Sequence, residues 1–459
     1  MKYNSTRNSS VEKNFREIVM QGLSSEGGLF MPTDWPKVNV NSLKGMQYFE
    51  VAFEIISQYC NDSIPDEELR NLLKKTYDNF HHPQTAPLLE IEYKKYILEL
   101  FYGPTFAFKD YALQFVGNLF EHLLEKENKN ITIIGATSGD TGSAAISACK
   151  LKSNINLFIL HPHGRISDVQ RMQMTTAAET NIHNIAIKGN FDDCQQIVKK
   201  LFSDHELLKK TNISAANSIN WARIIAQSAY YYWAFLQMHQ DYDKIEFIVP
   251  SGNFGNAYAA NVAAKMGLPV EKLYIVTNSN DILHSAISNG KMEVQEVLTT
   301  LTPSMDIQIS SNFERQLFES MQYDSNNLVA LMDSFSKTGN YTLSEKIVED
   351  LEKKYRSFSV NDETTLETIR LFDKKYNYIA DPHTATGLSI IEKLKEPSNP
   401  LVSLACAHPA KFADTIKKAT GKDVDYPDSL KKIFEKEEKF NILDNDYESV
   451  KTFIIDNLN

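Results

Sequence analysis

The sequence predicts an α/β protein built on parallel sheets, and three observations carry that expectation. Short apolar runs of strand type recur along the chain: Ile131–Gly135, Ile155–Leu160, Ile182–Ile187, Glu246–Pro250 and Lys272–Asn278. Stretches with helical apolar spacing alternate with them, the clearest being Tyr111, Phe115, Leu119 and Leu123. Polar, glycine-bearing loops join strand to helix, at the sheet edge where ligands collect.

Taken in order, residues 1–95 form an N-terminal helical region with a packing or lid role. Its apolar segments are broken by Gly27-Gly28, Pro32 and Pro36, and Phe49–Cys60 has a helical pattern. Asp66, Glu67 and Glu68 after Pro65 mark a helix start, with acids at the positive end of the dipole. The glycine-rich stretch Gln21–Pro32 is a turn or the cap of a site. Residues 96–230 read as a first α/β portion, and residues 231–459 as a second with C-terminal helices. Within the second portion, residues 280–375 are polar and helix-rich, as an inserted or peripheral region would be. Leu401–Phe412 returns to strand, loop and helix, and the last forty or so residues read as charged surface helices.

Bulk composition excludes several classes. At 459 residues, 42% hydrophobic and 23% charged, the chain is an ordinary globular mixture long enough for two or three domains. The net charge of −11, without a Lys/Arg block or a basic-aromatic stripe, argues against nucleic-acid binding. No apolar run approaches membrane-spanning length, and the start MKYNSTRNSS lacks a signal-like apolar core, so a cytoplasmic location is expected. Cys60, Cys149, Cys194 and Cys406 form no CxxC pair, which suits a reducing compartment and offers no metal-ligand spacing.

The chemistry centres on Gly103–Phe115, GPTFAFKDYALQF, with Lys109 among small and aromatic residues. Such a lysine either begins a helix as a solvated charge or is walled by apolar groups. Burial lowers an amine's pKa, and a helix N-terminus lowers it further, leaving a free amine that condenses with an aldehyde. That is the attachment chemistry of pyridoxal phosphate (PLP).

Three loops supply what a lysine-bound cofactor needs. Gly135–Gly142 (GATSGDTG) is small enough for close anion approach, and Thr137, Ser138 and Thr141 offer hydroxyls at a helix start. It lacks the Gly-Lys-Ser/Thr of a P-loop, and an ordinary N-cap turn is the alternative. Ser251–Asn256 (SGNFGN) follows a strand and could cradle a phosphate, or serve as a plain strand-to-helix turn; GxGxxG spacing is missing. Ala405–Phe412 places Cys406 at a strand end, where a thiol can meet a ring nitrogen or simply pack as a buried structural cysteine. Its Lys411 pairs with an anion or is solvated. Asn217, Asn220 and Arg223 add two amides and a guanidinium, suited to phosphate or to a surface ion pair.

These motifs, together with Glu99–Asp110, Ala136–Ala144, Ser214–Asn220, Pro250–Asn256 and Ala407–Phe412, resemble those of the threonine synthases, a fold-type II PLP-dependent family. The likeness spans nearly the whole length and is nearest the longer microbial and fungal branch. It implies a tryptophan synthase β-like fold: two parallel-sheet domains with an additional N-terminal region. It implies that Lys109 forms the Schiff base with PLP and moves protons between substrate carbons. Gly252, Asn253, Phe254, Gly255 and Asn256 would hold the cofactor phosphate, and Cys406 would face the pyridine nitrogen. The family usually has Asp at position 256 and Thr at position 406, so both are departures. The implied substrate is O-phospho-L-homoserine. Thr137, Ser138 and Thr141 would receive its carboxylate, with Asp140 in the same loop; Asn217, Asn220, Arg223 and Lys411 would hold its phosphate. The implied reaction is γ-elimination of phosphate and hydration at the β-carbon, giving L-threonine. A phospholyase or a serine/threonine ammonia-lyase of the same fold is the competing enzyme reading, and an inactive cofactor-binding relative the non-enzyme one. Partners beyond the small substrate are not expected: no nucleic acid, no membrane, no metal, and a monomer or small homo-oligomer.

Overall fold

The computed structural model describes residues 1–60, 62–202, 204–214, 218–238, 242–394 and 396–458. Two parallel sheets organise it. The larger has six strands, in the spatial order Tyr355–Ser359, Val270–Thr277, Ile245–Pro250, Leu401–Ala405, Lys95–Glu99 and Leu88–Glu92. Every neighbouring pair is parallel except the last, a hairpin. The smaller runs Asn441–Asp444, Ile182–Lys188, Ile155–Pro162, Ile131–Ala136 and Ile213–Ser214, all parallel. Ile155–Pro162 is buried at all eight positions, as a strand covered on both faces must be. A small antiparallel sheet of Tyr3–Ser5, Asn8–Lys13 and Phe30–Pro32 belongs to the N-terminal region.

The sheets cut across the sequence division. Lys95–Glu99 lies in the same sheet as Ile245–Pro250 and Leu401–Ala405, while Asn441–Asp444 crosses back to the smaller sheet. Two strands therefore correct the sequence reading. Tyr355–Ser359 makes the region 280–375 part of the larger sheet at its edge, and Asn441–Asp444 adds a strand to a tail expected to be helical. Both are edge strands with few buried side chains, so neither carries the apolar signal of a central strand.

The helix Lys109–Glu127 buries Tyr111, Phe115, Leu119 and Leu123, each completely or nearly so. At about 2 kcal/mol per fully buried large side chain, that face anchors the helix firmly. The helix packs on Asp140–Cys149 and on Trp221–Leu236, which in turn contacts Gly255–Met266 and the N-terminal helix Tyr48–Cys60. The four helices that start at the ligand-side loops thus pack in series, Asp140–Cys149 on Lys109–Glu127, Lys109–Glu127 on Trp221–Leu236, and Trp221–Leu236 on Gly255–Met266. No helix among the described residues is long and apolar enough to cross a membrane.

Candidate active site

Lys109 is positioned by the loop before it. A Cβ on Gly103 would fall 2.3 Å from the Asp110 Cβ, so only glycine lets the loop fold back on the helix start. The buried Asp110 carboxylate accepts hydrogen bonds from the Thr105 N–H at 2.7 Å and the Thr105 hydroxyl at 2.8 Å. Burial raises the Asp110 pKa to about 6 against these bonds. Phe106 holds φ at 60°, a conformation a bulky residue adopts only under tertiary constraint. That constraint is Cys406–His408: the Phe108 N–H donates to the Cys406 carbonyl at 2.8 Å, and the His408 N–H to the Phe106 carbonyl at 3.0 Å. Lys109 and Cys406 are therefore placed by two segments bonded to each other.

The Lys109 side chain is buried, with Nζ 3.0 Å from Ser304 Oγ and 3.7 Å from an Asp140 oxygen. Burial lowers its pKa; Asp140 opposes this, while Lys411 and Arg223 lower it further. Asp140 begins the helix Asp140–Cys149, and its Oδ1 lies 2.9 Å from Lys411 Nζ and accepts from Gln170 Nε2 at 2.9 Å. Burial would raise the Asp140 pKa, but the attraction of Lys411 and Lys109 outweighs it and holds the carboxyl well below its ordinary range. Lys411 is fully buried and also donates to the Thr105 carbonyl at 2.8 Å. Arg223, in the first turn of the helix Trp221–Leu236, is buried, and burial lowers its pKa to about 10. Lys411 and Lys109 thus share the Asp140 carboxylate, and Arg223 adds a third positive charge acting on Lys109, a field that suits an anionic ligand.

The Gly135–Gly142 loop is shaped from within. The Thr137 hydroxyl oxygen accepts from the Gly139 and Gly142 N–H groups at 2.9 and 2.8 Å, so it orders the turn rather than standing open. Gly139, at φ 135°, would place a Cβ 2.5 Å from Gln170. Ser138 and Thr141 are half-buried at the helix start.

The Ser251–Asn256 loop leads into the helix Gly255–Met266. Phe254 caps it in the left-handed conformation at φ 61°, and its ring packs against Phe313 and Tyr355. A Cβ on Gly252 would lie 2.9 Å from Ile307 Cδ1 and 3.2 Å from Met305 Cα and the Ser304 carbonyl. The Thr302–Ile307 loop, from the region expected to be peripheral, therefore closes on this glycine. The Asn256 side-chain oxygen accepts from the hydroxyls of Tyr230 and Tyr231. Its amide nitrogen and the Ser251 hydroxyl are buried without a hydrogen-bond partner among the described residues. Two buried polar groups without a partner among the described residues, at a helix N-terminus, fit a phosphate group.

The Cys406 thiol is buried at the strand end, and burial pushes its pKa well up, keeping it a neutral partner. Asn220 differs from its sequence reading. Its amide donates to the Val19 carbonyl at 2.8 Å and accepts from the Ala222 N–H at 3.0 Å, so it caps the helix and ties it to the N-terminal region instead of facing the basic cluster. Asn217 lies outside the described residues. Three residues not singled out in the sequence sit at the centre: Ser304 on Lys109, and Asp381 and His383 behind Ser304. Asp381-Pro382 carried a helix-start signal, but nothing in Thr302–Asp306 marked a residue that would reach Lys109.

A buried lysine amine and a glycine-bearing loop with unpartnered buried polar groups at a helix start suit pyridoxal phosphate, and the family model described as "Pyridoxal-phosphate dependent enzyme" matches residues 83–336. Models for "Threonine synthase N terminus" and "Threonine synthase, C-terminal" match residues 2–77 and 384–454 on either side. The chain belongs to the threonine synthase family. It is 42% identical to the threonine synthase of Pseudomonas aeruginosa, covering 99% of this chain and 98% of that one. It is also 42% identical to that of Saccharomyces cerevisiae, again over 99% and 98%. A crystal structure of PLP-bound threonine synthase from Brucella melitensis superposes with a TM-score of 0.96 at 39% identity, over 100% of this chain and 99% of that one.

Proposed function

We propose that the chain converts O-phospho-L-homoserine and water to L-threonine and phosphate, the last step of threonine biosynthesis. The observation that carries this is the buried Lys109 amine among Asp140, Lys411 and Arg223, in a chain that matches threonine synthases end to end. Lys109 would hold PLP covalently at its carbonyl carbon; Gly252, Asn253, Phe254, Gly255 and Asn256 would hold its phosphate, and the Cys406 thiol its ring nitrogen. When bound, PLP supplies an electron sink for carbanions formed next to the amino group.

The chain's own groups do the rest. Lys109, whose pKa burial lowers, takes and returns protons at adjacent substrate carbons. Ser138 and Thr141, at the positive end of the helix Asp140–Cys149, receive the substrate carboxylate, and Thr137 keeps that loop in shape. Arg223 and Lys411 favour departure of phosphate by their charge. Asp140 keeps Lys411 in place and the site's positive charge in bounds. With Cys406 in that place, the ring nitrogen would meet a neutral thiol and not a carboxylate. A cytoplasmic location and a monomer or small homo-oligomer complete the reading.

Borohydride reduction of the PLP-loaded chain followed by peptide mapping tests the attachment. A pyridoxyl group on the Lys109 peptide, absent in Lys109→Ala, is expected; a label on another lysine would overturn the assignment.

A further inference from the structure

We propose that Ser304 handles the proton on Lys109 and that Asp381 and His383 are positioning residues that hold Ser304 there. This deepens the proposed function and rests on Lys109 as the reacting amine.

Asp381 does more than cap a helix. It precedes the helix Pro382–Lys393 and accepts from the His383 N–H at 2.9 Å and the Thr384 N–H at 3.3 Å, which is sufficient for an N-cap. The same buried carboxylate also bonds His383 Nδ1 at 3.0 Å, the Thr384 hydroxyl, and the Ala407 N–H at 3.2 Å. His383 is itself buried, and its Nε2 lies 3.3 Å from the Ser304 backbone nitrogen. A backbone N–H only donates, so Nε2 is the acceptor and Nδ1 carries the hydrogen toward Asp381. The carboxylate thus fixes the tautomer, and the tautomer fixes Ser304.

The other side of the loop is held as firmly. Asn278 Nδ2 lies 2.8 Å from Thr302 Oγ1 and 2.7 Å from Asp306 Oδ1. Between these anchors the Ser304 hydroxyl oxygen faces Lys109 Nζ at 3.0 Å, and its hydrogen is directed toward Asp140 Oδ2 at 3.5 Å. A serine oriented this way accepts from the protonated amine, and so favours that form. It counters burial and the charges of Lys411 and Arg223, on the same side as Asp140; Cys406 is the other titratable group facing the amine. Thr384 also accepts from the Cys406 N–H at 2.7 Å. One carboxylate therefore sets the groups at both Lys109 and Cys406.

The test is the titration of Lys109 in the full-length chain freed of cofactor, by competitive acetylation across pH with peptide mass spectrometry. Ser304→Ala should lower the Lys109 pKa by about one unit, the value of a hydrogen bond to a charged group. His383→Asn, which keeps a donor toward Asp381 but loses the acceptor for Ser304, should act in the same direction. His383→Gln, which keeps an acceptor there, should stay near wild type. In the PLP-loaded enzyme Ser304→Ala should reduce kcat more than it raises KM. A Lys109 titration unmoved in Ser304→Ala would overturn the proposal, as would equal shifts in the two His383 variants. If the His383 variants do not fold, Ser304→Ala decides alone. Failure of the cofactor assignment would show separately, as wild-type chain without a pyridoxyl group on Lys109.

Discussion

Lys411 Nζ lies 2.9 Å from Asp140 Oδ1, and neither side chain is open to solvent. A buried ion pair adds little net stability, but breaking one side leaves an uncompensated charge. Asp140→Asn should therefore destabilise the chain by about 3–5 kcal/mol in denaturant unfolding. Adding Lys411→Met should recover most of that loss. A single substitution as stable as wild type would show that Lys411 has another counter-charge.

Asp110 gives a pH signature of its own. Its pKa is raised by burial to about 6 in the fold. A carboxyl raised in this way stabilises the fold fully below its unfolded pKa, and that contribution is lost as pH rises through about 6. The span of about two units corresponds to roughly 3 kcal/mol. Unfolding free energy measured between about pH 4 and 7 should fall for wild type relative to Asp110→Asn, which removes the titration. Parallel curves would contradict this.

Gly252 tests the phosphate cradle. Alanine there would meet Ile307 Cδ1 at 2.9 Å and the Met305 backbone at 3.2 Å. The Thr302–Ile307 loop must shift away, so PLP affinity in a cofactor titration should fall roughly tenfold or more, about 1.4 kcal/mol. Gly255→Ala, whose nearest contact is the Asn312 amide at 3.2 Å, should cost less.

Cys406→Ser exchanges a weak hydrogen-bonding group for a stronger one of similar size. PLP affinity should hold or improve, and turnover should stay within about threefold of wild type, below 1 kcal/mol. Loss of cofactor in Cys406→Ser would remove Cys406 from the ring-nitrogen position.

Much of this site was legible because its signals are local. Lys109, the Gly135–Gly142 loop, Ser251–Asn256 and Cys406 each stand at a strand-to-helix junction, and glycine at 103, 139 and 252 marks a close approach that chain geometry requires. What escaped depends on long-range contact. Ser304 reaches Lys109 from 195 positions away, in a polar stretch without strand or helix period. Phe106 and Phe254 carry a positive φ that their residue type disfavours. Asn220 has the chemistry of a phosphate ligand, yet the Val19 carbonyl and the helix start claim its amide. Tyr355–Ser359 and Asn441–Asp444 carry no apolar strand pattern because an edge strand buries few side chains.

Turnover of O-phospho-L-homoserine by the purified, PLP-loaded chain, with phosphate release and amino-acid analysis on the same samples, tests the central claim most directly. L-Threonine and phosphate should appear in equal amounts, and Lys109→Ala should produce neither. Phosphate accompanied by 2-oxobutanoate without threonine would contradict the account and identify a phospholyase.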